Sequence, residues 1–181
     1  MEDVLEGLGL ERAPFVGISY GAGIILRVAA GVSERITRTA LVSPSGIATG
    51  SIPRMAFEII VPMVLYRLAP SHERLLRAVS PLLTEMDEDN ARQIGAMYRH
   101  VRLDTHLPQL VTREELEDFS VPTLVFATED DPFFPGEAVV ARAEEIFPNL
   151  VAAECLAGRH VPSRATFEYI NAKIQEFLES P

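Results

Sequence analysis

The amino-acid sequence predicts an α/β fold in which a parallel sheet is flanked by helices. Near the start of the chain, a strand, a helix and a second strand follow one another within about 30 residues, an order typical of a parallel βαβ unit. Strands and helices alternate again over residues 123–179. Between these parts, residues 47–119 carry no strand pattern and are broken by prolines. The sequence therefore predicts a core, residues 1–46 and 120–181, that is interrupted by a helical insertion.

Each element of the core is marked by its own pattern. The strands are short apolar runs, and the helices are apolar either almost all round or on one face. Gly9 and Gly31 mark the ends of two helices, because glycine readily adopts the conformation that follows a helix. In chain order the predicted core elements are a helix at 3–8, a strand at 14–18, a helix at 21–30, strands at 39–42 and 123–127, a helix at 136–147, a strand at 150–156 and a helix at 163–179.

The insertion is predicted to contain short helices. Asp89 or Asn90 is the predicted cap of its best-marked helix. Thr112 and Glu115 fit a capping box at the start of a helix that leads back to the sheet. The expected apolar face of the helix that follows Asp89 comprises Ala91, Ile94, Met97, Tyr98 and Val101.

Residues 17–21, Gly-Ile-Ser-Tyr-Gly, match the G-x-S-x-G pattern and lie between a predicted strand and a predicted helix. In this setting the pattern predicts a sharp turn that lifts Ser19 to the carboxyl end of the sheet, where its hydroxyl is exposed. The glycines on both sides are expected to leave room for the turn. The backbone N–H of Tyr20 would face the oxyanion that develops during acyl transfer. Ser19 is therefore the predicted nucleophile.

A serine hydroxyl needs a base that removes its proton, and histidine is the most common one. Three histidines, His72, His100 and His106, lie in the insertion and are expected to be solvated or partly packed helix residues. His160 differs, because it follows the last predicted strand at the carboxyl end of the sheet. Parallel strands share one direction, so Ser19 lies at the same end. His160 is therefore the predicted base.

The histidine in turn needs an acid that orients it and stabilises its charged form. Glu129, Asp130 and Asp131 come directly after the predicted strand at 123–127, again at the carboxyl end of the sheet. Acidic residues are also common in solvated turns, so this position alone does not identify the acid. The chain order Ser, Asp, His is the order expected for a nucleophile elbow in an α/β sheet. It favours an aspartate of this loop as the acid, with Asp130 and Asp131 both open.

Three stretches of the chain together resemble the α/β-hydrolase superfamily, in particular its capped, carboxylesterase-like serine hydrolases. They are Gly17–Gly23 around the elbow, Val121–Pro135 around the acid and Gly158–Pro162 around the histidine. The resemblance extends over nearly the whole chain. It implies Asp131 rather than Asp130 as the acid, because Asp131 directly precedes the Pro-Phe-Phe-Pro run.

The resemblance has further implications for the fold and the reaction. Residues 47–119 occupy the place of a helical cap, and we expect neither a cofactor nor a metal ion. The family also has strands before the elbow, one of whose loops supplies a second oxyanion-hole N–H. Here only a short helical stretch precedes the elbow strand, and no HGGG-type segment occurs. We therefore expect the chain to be the C-terminal portion of a hydrolase, from a truncated gene model, a split gene or a degraded gene.

This expectation has a consequence for the sheet. Without the preceding strands, residues 15–18 would form an apolar edge, and such an edge is a site for pairing with another chain. Self-association through the exposed edge of the elbow strand is therefore predicted.

The composition restricts the other partners. The chain has 181 residues and a formal net charge of −10, and so negative a surface repels phosphate backbones and anionic headgroups. We therefore expect a small-molecule substrate, with no nucleic acid and no membrane as partner. The one cysteine, Cys155, excludes an internal disulfide and favours a cytoplasmic setting, with Cys155 itself a small buried apolar residue. The N-terminus lacks a signal-peptide pattern, and the apolar stretch 55–69 is too short to span a bilayer.

Two classes of function fit these observations. The first is hydrolysis of an ester-like bond in a small apolar substrate through an acyl intermediate on Ser19. Some side chains of Met55–Leu68 are expected to line an acyl pocket, and most to pack between the insertion and the sheet. A serine nucleophile disfavours dehalogenases and epoxide hydrolases, but it does not separate ester hydrolysis from carbon–carbon, lactone or peptide hydrolysis. The second class is a catalytically impaired remnant or a non-catalytic binding scaffold, because part of the oxyanion hole is missing from the sequence.

Overall fold

The computed structural model describes residues 2–101 and 108–180, and in it four parallel strands form one sheet in the order β1-β2-β3-β4. Strand order follows chain order, and each connection between neighbouring strands contains helix, as parallel pairing requires. This arrangement confirms the predicted parallel α/β fold. The strands are β1 (Ala13–Ile18), β2 (Ile36–Val42), β3 (Thr123–Thr128) and β4 (Leu150–Leu156).

Helices occupy both faces of the sheet and the insertion. In the described residues they are α1 (Glu2–Gly7), α2 (Tyr20–Val32), α3 (Ile52–Met55), α4 (Val61–Leu68), α5 (His72–Val79), α6 (Glu88–His100), α7 (Gly136–Ile146) and α8 (Arg164–Glu179). A π-helical stretch, Ala56–Ile60, joins α3 to α4, and short 3₁₀ turns occupy Ser33–Arg35 and Glu114–Leu116. Every predicted core element occurs. The largest difference in a strand is that β2 begins at Ile36 rather than at 39, because Ile36 pairs with Ala13.

Two apolar layers cover the sheet. Helices α2 and α7 pack on one face, where Ala22, Leu26 and Val139 belong to the same cluster as Leu41 and Val125. On the other face α8 contributes Ile170, Ile174 and Phe177, which cluster with Ala40, Val42, Leu124 and Phe126. Strand β3 lies between the two layers, and all six of its residues are buried. Burial on both faces is expected for an inner strand of a parallel sheet.

Strand β1 forms one edge of the sheet and is only partly covered. Val16 and Ile18 are 48% and 49% exposed. Val16 and Ile18 pair in register with Ala40 and Val42 of β2. Helix α8 packs against Ala40 and Val42, but it does not extend over Val16 and Ile18. Among the described residues, no strand pairs with the outer side of β1. The predicted self-association at this edge stays a prediction.

The helices of the insertion form an apolar cluster of their own. Its buried members are Ile59, Met63, Tyr66, Ala78, Val79, Leu82, Leu83, Ala91 and Tyr98. Near the ends of the insertion the side chains belong instead to the cluster on the α2 face of the sheet; these are Ile47, Ala48, Val111, Leu116 and Phe119. The boundaries at 46/47 and 119/120 between core and cap stay a prediction.

The structure corrects the predicted helix starts in the insertion. The cap of α6 is Asp87 rather than Asp89 or Asn90, because Asp87 Oδ1 accepts hydrogen bonds from the N–H groups of both, at 2.7 and 3.3 Å. Thr112 and Glu115 form the predicted capping box through reciprocal contacts of 2.8 and 3.2 Å. The helix that this box opens is, however, a single 3₁₀ turn.

The expectation that most of Met55–Leu68 packs between the insertion and the sheet was wrong. Only one stripe of this helical stretch is buried, formed by Ile59, Met63 and Tyr66. The exposed apolar side chains are Phe57, Ile60, Val61, Val64, Leu65 and Leu68. Met97 of α6 and Val101 directly after it, two members of the apolar face predicted for this helix, are also about half exposed. A surface helix buries only the stripe that faces its neighbours. Within the described part of the chain, no helix is both long enough and apolar enough to cross a membrane.

Candidate active site

Ser19 lies in the turn between β1 and α2, in a strained backbone conformation. Its φ is 50° and its ψ is −116°, a combination that residues other than glycine rarely adopt. Gly17 permits the close packing of this turn, because a Cβ there would lie 2.7 Å from backbone atoms of Ala22. A Cβ at Gly21 would meet nothing within 4 Å. The expectation that both glycines make room for the turn therefore holds for Gly17 and is wrong for Gly21.

Backbone hydrogen bonds hold the turn from two sides. The Ser19 N–H donates to the Val42 carbonyl over 2.8 Å, which extends the ladder between β1 and β2 by one residue. The Ser19 carbonyl accepts from the N–H groups of Gly23 and Ser45, at 3.2 and 3.3 Å. Gly23 belongs to α2 and Ser45 to the loop after β2. The elbow is thus tied both to its own helix and to the neighbouring strand.

Asp131 follows β3 at the same end of the sheet, and its side chain is completely buried. One carboxylate oxygen, Oδ1, accepts hydrogen bonds from the backbone N–H groups of Phe133 and Phe134, at 2.8 and 3.1 Å. The other oxygen, Oδ2, lies 2.7 Å from Nδ1 of His160. These contacts compensate the burial of the carboxylate and direct one of its oxygens at the imidazole.

His160 lies between Asp131 and Ser19 and contacts both side chains. Its Nε2 lies 3.0 Å from Oγ of Ser19, on the opposite side of the ring from Asp131. When Nδ1 carries the proton and donates a hydrogen bond to the carboxylate, Nε2 remains as an acceptor for the serine hydroxyl. The rings of Phe133 and Phe134 lie beside the imidazole, with centroids 5.2 and 5.7 Å from its own. Only 15% of the His160 side chain is exposed.

The structure brings the three predicted side chains together and leaves the other candidates apart. Asp130 is exposed, and its N–H donates to the Gly158 carbonyl over 2.9 Å. His72 begins α5 and His100 ends α6, and both are exposed, as expected for solvated helix residues. His106 lies outside the described residues.

The elbow also supplies a backbone donor for an oxyanion. Tyr20 is the first residue of α2, and an N–H at that position has no carbonyl partner within its own helix. The positive end of the helix dipole lies at the same place. The Tyr20 N–H can therefore stabilise negative charge that develops on a group bound to Ser19.

The sequence pattern does not single out Ser43, although it lies beside Ser19 in the sheet. Ser43 directly follows β2, and its N–H donates to the Phe126 carbonyl over 2.8 Å. Within the described residues, Ser19 and Ser43 are the non-glycine residues with positive φ, at 50° and 43°. The Ser43 hydroxyl is buried and has no hydrogen-bond partner among the described residues. Its place directly after a strand, level with the elbow, is the only sequence signal that could have indicated it.

Among the groups outside this site that have shifted pKa values, Tyr98 and Cys155 are shifted mainly by burial. Burial raises the pKa of Tyr98 to about 12, and the Tyr98 hydroxyl has no hydrogen-bond partner within the described residues. Burial also raises the pKa of the Cys155 thiol, which lies in β4 and is partly buried. A raised pKa favours the neutral thiol over the thiolate, and the partial burial of Cys155 differs from the full burial expected of it. In the part of the chain that the structure describes, no three His, Cys, Asp or Glu side chains are grouped as they would be to hold a metal ion.

Comparison with known sequences supports the resemblance to the α/β-hydrolase superfamily. The model of the alpha/beta hydrolase family matches residues 1–169. Carboxylesterase YbfK of Bacillus subtilis is 24% identical over 182 residues, in an alignment that covers 98% of this chain and 61% of that protein. The chain therefore spans less than two thirds of the length of this relative.

Solved structures show the same architecture. The crystal structure of carboxylesterase CesB (YbfK) from Bacillus subtilis matches with a TM-score of 0.78 and 21% identity, covering 99% of this chain and 64% of that chain. Naproxen esterase from Bacillus subtilis matches with a TM-score of 0.75 and 21% identity, covering 97% of this chain and 63% of that one. At such identities the similarity shows a shared fold.

Proposed function

The chain belongs to the alpha/beta hydrolase family, and on this premise we propose that it is a serine hydrolase that cleaves an ester-like bond in a small apolar molecule. The observation that carries the proposal is the continuous contact from Ser19 Oγ through His160 to Asp131, with distances of 3.0 and 2.7 Å. The carboxylesterase and esterase names of the similar proteins support the same class of reaction.

In the first half of the proposed reaction, Ser19 Oγ attacks the carbonyl carbon of the substrate while His160 Nε2 takes the hydroxyl proton. The carbonyl oxygen becomes an oxyanion, to which the Tyr20 N–H donates a hydrogen bond. The bond from the carbonyl carbon to the leaving oxygen then breaks, and Nε2 returns the proton to that oxygen. An alcohol departs, and the acyl group remains on Ser19.

In the second half, water takes the place of the alcohol. His160 Nε2 removes a proton from the water as its oxygen attacks the acyl carbon, and the same proton then returns to Ser19 Oγ when the acid departs. Asp131 Oδ2 accepts a hydrogen bond from the Nδ1–H group throughout, which stabilises the imidazolium formed in each half-reaction. The cycle consumes one water and restores the serine, so it requires neither a metal ion nor a cofactor.

The surroundings of the histidine support an apolar substrate. The rings of Phe133 and Phe134 lie beside the imidazole. Phe134 is buried in the core, whereas Phe133 is partly exposed, so an apolar group of the substrate would be favoured against Phe133. The net charge of −10 opposes the approach of anionic molecules. A cytoplasmic setting stays a prediction that rests on the single cysteine of the sequence.

A second candidate function is binding without efficient catalysis. The elbow offers the Tyr20 N–H as an oxyanion donor, whereas the sequence has no HGGG-type segment for a second one. Loss of one oxyanion donor reduces rates by about 10²–10³ in other serine hydrolases. With a single oxyanion donor, the chain would keep the contacts among Ser19, His160 and Asp131 but hydrolyse its substrate slowly.

A fluorophosphonate probe distinguishes the two candidates, because it phosphonylates a serine only when an active site raises its nucleophilicity. We expect the folded chain to be labelled and Ser19→Ala to lose the label completely. Ser120→Ala, a matched change at an exposed serine away from the site, should be labelled like the parent. A folded parental chain that is not labelled, or labelling that persists in Ser19→Ala, would contradict the enzymatic proposal and favour the binding scaffold.

A further inference from the structure

The loop that carries His160 is attached to residues 80–84 of the insertion, here called the 80–84 segment. Leu83 and Val161 form a parallel bridge outside the main sheet. The Val161 N–H donates to the Leu82 carbonyl over 2.8 Å, and the Thr84 N–H donates to the Val161 carbonyl over 3.0 Å. The 80–84 segment therefore runs as a minimal strand beside the residue that directly follows His160.

The hydroxyl of Thr84 adds contacts on both sides of the histidine. Thr84 Oγ1 accepts a hydrogen bond from the Arg159 N–H over 2.7 Å and donates one to the Val161 carbonyl over 2.9 Å. One side chain thus holds the backbone immediately before and immediately after His160. A threonine on the insertion thereby fixes the section of main chain from which the imidazole projects.

The rest of the loop is shaped around this contact. Gly158 has a φ of 134°, and a Cβ there would lie 2.8 Å from Thr84 Oγ1, so only glycine combines this conformation with this approach. The Arg159 guanidinium donates to the Ser80 carbonyl. On the opposite side, Thr128 Oγ1 at the end of β3 donates to the Arg159 carbonyl over 3.0 Å. The histidine loop is therefore held between the sheet and the 80–84 segment.

We propose that Thr84 is a positioning residue, which sets the position of His160 by holding the main chain on both of its sides. This inference rests on the proposed function, because it assigns a purpose to a residue that lies outside the triad. Nε2 must reach Ser19 at 3.0 Å while Nδ1 reaches Asp131 at 2.7 Å, and a shift of about 1 Å costs such a pair of contacts much of its catalytic value. The Thr84 hydroxyl contacts the main chain of Arg159 and Val161, so its effect on the reaction would act through His160.

The 80–84 segment is itself held in place by the apolar cluster of the insertion. Leu82 and Leu83 are buried in the apolar cluster of the insertion, together with Ala78 and Val79 of α5. Val161 packs against the same cluster. The packing of the insertion is thus transmitted through Thr84 and Val161 to the main chain of the histidine.

The test compares Thr84→Val, which keeps the shape and removes the hydroxyl, with Thr84→Ser, which restores it. Thr112→Val is the matched control, because it removes a capping hydroxyl of the insertion away from the histidine loop. The first measurement is the exchange of the His160 Nδ1 proton with water, followed by NMR on the full chain. The second is the rate of labelling by a fluorophosphonate probe.

We expect Thr84→Val to speed exchange of this proton by about fivefold, the equivalent of one net hydrogen bond, and to slow labelling to a similar degree. Thr84→Ser should return both values to those of the parent, and Thr112→Val should leave both unchanged. Arg159→Met removes the contact with the Ser80 carbonyl and gives a second variant, for which a smaller change in the same direction is expected.

The outcomes separate this inference from the proposed function. Exchange in Thr84→Val that equals the parental value overturns the inference, as does an Nδ1 proton that already exchanges too fast to be observed in the parent. An effect of Thr84→Val on exchange that Thr84→Ser reverses supports it, whether or not the chain reacts with the probe. A parent that holds this proton but is never labelled contradicts the proposed function alone.

Discussion

Ser19 and Asp131 reach the same end of the sheet from strands with very different surroundings. Asp131 follows β3, a strand whose six residues are all buried, and the Asp131 side chain is itself completely buried. Ser19 follows β1, an edge strand on which Val16 and Ile18 are about half exposed. Within the described residues, the half of the site around Ser19, the predicted nucleophile, therefore lies on an outer strand, whereas the half around Asp131, the predicted acid, lies within the core.

The difference indicates how each half obtains its geometry. The acid is fixed through its own side chain, because both carboxylate oxygens of Asp131 are engaged by short contacts. The nucleophile is fixed through its backbone, by the Ser19 N–H bond to Val42 and by the close packing of Gly17 on Ala22. Apart from loss of the Ser19 hydroxyl itself, a side-chain change should therefore be most damaging in the acid half, and a change in backbone packing in the nucleophile half.

Among variants that keep Ser19, the largest effect is expected for Asp131→Asn. The asparagine oxygen can still accept hydrogen bonds from the Phe133 and Phe134 N–H groups, but its NH₂ group then faces Nδ1 of His160. Since this NH₂ group is a donor, Nδ1 must act as the acceptor, and the imidazole proton moves to Nε2. An imidazole in that tautomer cannot accept the proton of Ser19, and ester hydrolysis should fall by about 10³–10⁴. Hydrolysis of a p-nitrophenyl ester measures this loss. Asp130→Asn is the matched control and should stay close to the parent, since Asp130 is exposed; equal losses in the two variants would refute the assignment of the acid.

The next largest effect is expected for Gly17→Ala. The new methyl would lie 2.7 Å from backbone atoms of Ala22, so α2 must move away from β1, and the free energy of unfolding should fall by about 1–3 kcal/mol. Gly21→Ala places the same methyl in open space and should leave the stability unchanged or raise it by about 0.5–1 kcal/mol, because alanine favours helix over glycine. Urea unfolding followed by circular dichroism measures both. A similar loss in the two variants would show that the nucleophile half does not depend on this packing.

The features that could be predicted from the sequence have local signals. The strands are apolar runs, the elbow is a contiguous pattern, and His160 directly follows the last strand. Whether Asp130 or Asp131 contacts the histidine is not decided by such signals, because the two are adjacent and differ only in which way the turn directs them. The structure shows Asp131 buried and Asp130 exposed. A resemblance to known proteins favoured Asp131, whereas the residue pattern left both open.

The features that could not be predicted depend on parts of the chain that meet only in the fold. The bridge between Leu83 and Val161 joins two short segments, neither of which has a strand pattern of its own. Asp87 caps α6 in a stretch that also contains Asp89 and Asn90, and the side chain of each of these three residues is suited to the cap position. The exposure of Phe57 and Leu68 could not be predicted for a similar reason. Which side chains of an apolar helix are buried depends on the neighbours that pack against it.

The smallest effect is expected for Val16→Lys, which tests whether the outer strand β1 mediates self-association. Val16 is 48% exposed on the outer strand β1, and pairing of this edge with the same edge of a second copy would bury it. A lysine on an edge strand opposes such pairing, so the association constant measured by sedimentation should fall about tenfold, equivalent to about 1.4 kcal/mol. Val151→Lys makes the same change on β4, the other outer strand, where Val151 is 55% exposed, and should leave association unchanged. Because both variants add one positive charge to a chain of net charge −10, a general electrostatic effect would change the two alike, whereas pairing through β1 requires that only Val16→Lys weakens association.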